Sequence, residues 1–91
     1  MKIPENFKVY KKTPLYDQDS IPNELSMMHE TGDGIWEKLI VVFGSVDYVD
    51  CETGKVTKAS PVRSVSVEPH HMHSLHVTGP VELYVEYYKA A

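Results

Sequence analysis

At 91 residues the chain makes one domain, residues 1–91, and such a domain buries only roughly 60–65% of its unfolded surface, so its core is small. Nine Lys plus Arg against 13 Asp plus Glu give a formal charge of −4, with a single Arg and no basic run, which excludes the footprint of nucleic-acid binding. No apolar run reaches membrane-spanning length, Met1-Lys2-Ile3-Pro4-Glu5 lacks a signal-peptide core, and the lone Cys51 allows neither an internal disulfide nor a cysteine zinc site.

The expectation is therefore a soluble, cytoplasmic protein in which any metal must use His and carboxylates. In chain order, Phe7, Val9 and Tyr10 stand among Lys8, Lys11 and Lys12 between Pro4 and Pro14, the pattern of an edge strand guarded by lysines. Leu15 to Pro22 has no periodicity and reads as a connecting loop. From Asn23 a strand is predicted, with Leu25, Met27 and His29 on one face and Ser26, Met28 and Glu30 on the other. Thr31-Gly32-Asp33-Gly34 is a turn. Ile35 to Phe43 follows as the longest apolar run, rich in β-branched and aromatic residues, and reads as the central strand, covered on both faces or lining an interior.

Gly44-Ser45 breaks that run, and Val46 to Asp50 turns through Cys51 to Lys55 into a hairpin partner that begins near Val56. Beyond the corner at Ala59-Ser60-Pro61, Val65 and Val67 face inward and Ser64 and Ser66 outward. The last strand, Val81 to Tyr88, puts Val81, Leu83, Val85 and Tyr87 on one face and Glu82, Tyr84, Glu86 and Tyr88 on the other. No stretch reads as a helix, and short strands recur at the spacing of sandwiches and barrels, so the fold class is all-β.

Chemistry concentrates in Val67 to Val77, which holds four of the five histidines. Neutral imidazole is the commonest metal ligand, and a turn leading into a strand can aim several rings at one point. Alternation is interrupted at Pro69 and resumes at His73, which shares an apolar face with Leu75 and Val77 while Ser74 and His76 point away. A single His on an apolar strand face is more often a core residue bonded to a backbone carbonyl. Two of them, His29 and His73, inward on different strands, raise a metal or ligand site above that reading. For a third ligand His71 is the choice if the bend at Pro69 turns its ring inward; His76 is the reserve, reachable only through a bulge, and Glu37 ranks below both.

With these residues the chain resembles the cupin-like domain that forms the N-terminal part of tellurite-resistance protein B and also occurs as small stand-alone proteins. The segments that carry the resemblance are His29-x4-Gly34-x-Trp36-x-Lys38-Leu39, Val42-x-Gly44 and Val67-Glu68-Pro69-x3-His73, and the match runs from about Phe7 to Tyr88. It implies a small double-stranded β-helix, a jelly-roll barrel whose mouth receives residues from two metal-site motifs. Glu37 and Gly44 fit the Glu-x6-Gly of the general cupin motif, but the His-x-His pair that precedes it is absent, Thr31 and Asp33 standing there instead. His29 and His73 carry over as metal residues. Met72 stands where relatives usually have Trp, and no methyltransferase domain, such as the longer proteins carry, lies within the 91 residues.

The leading functional expectation is a cupin-like binder of a metal or small molecule, related to tellurite resistance, with a His-based site in the barrel mouth. His29, His73 and His71 are its metal residues, and Zn2+, Ni2+ or Fe2+ all suit imidazole with oxygen. The partner is a small molecule or small anion, and an open coordination position would permit Lewis-acid chemistry on it. The alternative is a non-catalytic oxyanion or stress-ligand binding module without metal, and a third reading is a purely structural dimerising barrel. A homodimer is expected in each case, with Tyr84, Tyr87 and Tyr88 at or near its interface.

Overall fold

Short alternating segments broken at Gly and Pro cannot sustain long elements, and the computed structural model, which describes residues 2–91, contains nine short strands and one helical turn. In order these are β1 (Phe7–Lys12), β2 (Tyr16–Asp17), α1 (Asn23–Ser26), β3 (His29–Glu30) and β4 (Trp36–Gly44). Then come β5 (Val46–Asp50), β6 (Val56–Ala59), β7 (Val65–Val67), β8 (Met72–His76) and β9 (Val81–Ala90). They form two antiparallel sheets, one in the order β1-β9-β4-β7 with β2 also beside β9, the other in the order β3-β8-β5-β6. The all-β expectation is met. Among the described residues no helix is long and apolar enough to cross a membrane.

The core lies between the sheets, because alternation delivers one apolar face from each. Leu39 and Val41 of β4 and Val81, Leu83 and Val85 of β9 meet Val46, Tyr48 and Leu75 of the second sheet. Leu83 and Val81 have no exposed surface, and burying side chains of this size contributes about 1.5–3 kcal/mol each. Strand β9 is the organising element, pairing with β1, β2 and β4. Its inward residues are those its alternation predicts, and β1 takes the lysine-bearing edge. The chain passes from β4 in one sheet to β5 in the other through Gly44, whose φ of 73° is costly for any other residue. A Cβ there would run into the carbonyl oxygen of Pro80.

Three expectations change. The strand expected from Asn23 begins as helix: Pro22, at φ −61°, starts the turn, Glu24 sits in its first turn, and Met27 N–H closes it on the Asn23 carbonyl at 2.8 Å. Only Leu25 of this turn is buried, Met27 and Met28 are exposed, and extended structure is confined to His29–Glu30. The segment expected to be all loop contains β2, which Tyr16 and Asp17 form against Leu83 and Glu82. Strand β4 is covered on its inner face, but its outer face is open at Val42 and Phe43 beyond a bulge. At the other end of that face Trp36 is buried edge-on against Phe7, with ring centroids 6.5 Å apart.

Candidate functional site

The two inward histidines meet because β3 and β8 pair in the register that sets His29 directly opposite His73. Cross-strand partners bring their side chains within contact distance, and the two rings lie with centroids 4.1 Å apart, inclined by 62°. From the other sheet β4 contributes Glu37, on the same inward face as Leu39 and Val41. One donor atom from each of His29, Glu37 and His73 falls within 4.8 Å of the others. The group closes over a void of about 10 Å3, roughly the volume a single water needs, walled by Leu25, Leu39, Tyr48, Val67 and Leu75.

Both imidazoles are held by main-chain carbonyls through the same nitrogen. Nδ1 of His29 lies 3.0 Å from the Met27 carbonyl oxygen and Nδ1 of His73 lies 2.7 Å from that of His71. A carbonyl only accepts, so Nδ1 carries the proton in each neutral ring and Nε2 is left with a lone pair. The Nε2 of His29 is buried without a hydrogen-bond partner. Tyr48 stacks on the His73 ring at 5.6 Å and 27°, fixing its second face. Burial pushes the Tyr48 phenol up, which keeps its proton on.

The electrostatics follow from dryness. Burial pushes His73 down to about 4, the His71 carbonyl opposing this and the charge of a protonated His29 adding to it, so the ring is neutral at ordinary pH. Burial also raises Glu37 above the usual carboxylate range, although His29 pulls the other way. The neutral His73 ring, the His29 imidazole with its unpartnered Nε2 and a reluctant carboxylate share one apolar pocket. Each of them would gain from a cation, and such a group costs free energy to bury unpaired.

The histidine expected as third ligand does not join them. His71 has Nε2 at 2.9 Å from Asp50 and Nδ1 at 3.3 Å from Glu68 and 3.6 Å from Glu52. Three carboxylates hold its ring away from the pocket, and its contribution is the carbonyl that orients His73. His76 is exposed at the end of β8. His70 takes φ 59°, rare outside glycine, and its ring bridges Glu30 at 2.9 Å and Asp33 at 2.8 Å, tying the turn before β8 to the loop after β3. Glu37, ranked last from sequence, is the residue the fold brings to His29 and His73. Its signal was its parity: it is the one carboxylate in step with Leu39 and Val41 in an apolar strand.

A small two-sheet β-domain carrying a buried two-histidine, one-carboxylate cluster is the class these observations define. Residues 11–85 match the TehB-like domain, and the chain belongs to that family. Among solved structures it is similar to the crystal structure of TehB from Haemophilus influenzae, with 25% identity and a TM-score of 0.83 over 94% of this chain and 32% of that one. The chain thus spans about a third of that protein's length, 32%. The crystal structure of a protein from E. coli strain K12 shares the fold, with a TM-score of 0.89 at 18% identity over 100% of this chain and 98% of that one. No curated protein matches the chain in sequence.

Proposed function

We propose that this TehB-like domain binds one divalent transition metal, Zn2+, Ni2+ or Fe2+, through His29, Glu37 and His73, in the mouth of a small jelly-roll barrel of the cupin type. The observation that carries the reading is the buried Nε2 of His29, which has no hydrogen-bond partner and stands beside a second imidazole and a carboxylate. Two imidazoles and a carboxylate are a donor set suited to these ions. Carbonyl bonds to both Nδ1 atoms are the outer-shell contacts that fix the tautomer of ligating histidines. When bound, the ion would supply Lewis acidity toward a small molecule or small anion. Family membership supports a role related to tellurite resistance, and a cytoplasmic setting belongs to the same reading.

Metal analysis of the purified protein tests it. The parent is expected to carry close to one equivalent of metal, with His29→Ala, His73→Ala and Glu37→Gln each losing most of it. His76→Ala, at an exposed position, keeps it. A parent that takes up no zinc, nickel or iron, or variants that all bind alike, would leave the metal-free binding module in its place.

A further inference from the structure

A larger cavity, of about 470 Å3, opens beside the buried cluster and reaches His29 and Glu37 from outside. Sites for small organic molecules run from roughly 300 to 1,000 Å3. Its outer wall comes from the end of β1, the segment that joins it to β2, and α1, and its polar side chains include Lys11, Lys12, Thr13, Tyr16, Glu24 and Tyr87. Leu25, His29 and Glu37 border both this cavity and the inner void.

The charges of this wall are unequal in availability. Lys12 is paired with Glu86 at 3.3 Å. Lys11 pairs across β1 and β9 with Tyr87, the inward residue, and its Nζ stands 5.3 Å from that ring's centroid. Among the described residues no carboxylate forms an ion pair with Lys11. Burial raises the Tyr87 phenol to about 12, so it remains a hydrogen-bond donor. Glu24 also lines the cavity, on the exposed side of α1 as Lys11 is exposed on β1, so water screens both charges alike.

We propose that this cavity receives a small organic anion carrying two oxygen groups, one charge-paired by Lys11 beside Tyr87 and the other directed to the cluster of His29, Glu37 and His73. The inner half of this assignment rests on the metal reading, since a divalent ion offset by one carboxylate leaves net positive charge there. The outer half rests on Lys11 alone. A single inorganic oxyanion would fill only part of the space.

Calorimetric titration with succinate and with inorganic phosphate, on metal-loaded protein, tests the proposal. Succinate should bind the parent more tightly than phosphate does. Lys11→Met, which keeps the aliphatic stem, should weaken succinate at least tenfold while leaving the metal content unchanged. Lys58→Met, exposed on β6, should bind as the parent does. Equal succinate affinity in the parent and Lys11→Met, no succinate binding at millimolar concentration, or tighter binding of phosphate overturns it. If the protein takes up no metal the metal reading fails separately; Lys11-dependent succinate binding to that metal-free protein still supports the cavity assignment, and its absence overturns it.

Discussion

His73 shows how one buried ring links stability to pH. In the unfolded chain an imidazole takes its proton near 6.5, whereas in the fold burial pushes His73 down to about 4. Its stabilising contribution is therefore complete above about 6.5 and is lost as pH falls toward 4, at no more than ~1.4 kcal/mol per pH unit. Glu37, raised by the same burial, acts in the opposite sense, losing stability as pH rises through its raised value. A comparison of two proteins separates them. In chelator-treated samples the parent should lose about 2 kcal/mol relative to His73→Leu between pH 6.5 and 4, the full linkage value being reduced by solvent screening, read from urea unfolding at each pH. Parallel pH profiles would show that His73 does not titrate in this way. Alternation placed His73 inward, whereas His29 was read as inward from a period shared with Leu25 and Met27 that a helical turn replaces; the β3–β8 register is what sets it opposite His73. His71 has the same parity as His73, and what removes it is the trio Asp50, Glu52 and Glu68, which no local pattern places around it.

At the scale of elements, the strands were legible wherever one face is apolar and the next break is Gly or Pro, as in β4, β5, β8 and β9. The segment before β3 was not, because Leu25, Met27 and His29 satisfy a period of two although Met27 is exposed. Pro22 followed by Glu24 is the local feature with which the helical turn starts. Exposure of the methionines follows from the helical turn. The crossing from β4 to β5 depends on one residue, and two glycines make the test. Gly44→Ala should lower unfolding free energy by at least about 2 kcal/mol, combining the cost of a positive φ with displacement of the Pro80 backbone. Gly54→Ala meets the same φ cost, at 80°, in open space, so about 1 kcal/mol is expected. Equal shifts in urea midpoint would show that Pro80 yields freely.

For the whole molecule, the question is what covers the outer face of the β1-β9-β4-β7 sheet. Tyr84 and Tyr88 lie on that face, each opposite an outward residue of β4, Ile40 and Trp36. Tyr87 lies on the inner one, lining the cavity, and drops out of the expected interface. Val42 and Phe43 extend the apolar surface at 51% and 57% exposure. Contiguous apolar patches on a small domain mark association sites. The edges of the same sheet are β1, where Lys8 and its neighbours discourage pairing by strand addition, and β7, which is only 3 residues long, so face-to-face contact between two copies is the arrangement we propose. Sedimentation at about micromolar concentration should then give a dimer, since a specific interface of ordinary size persists there. Phe43→Glu places a carboxylate beside its β9 partner Glu82 and should yield a monomer that unfolds with at most a small change in stability, because Phe43 contributes little to the core. A parent that sediments as a monomer at that concentration removes the dimer, and a Phe43→Glu protein that remains dimeric moves the interface off this face.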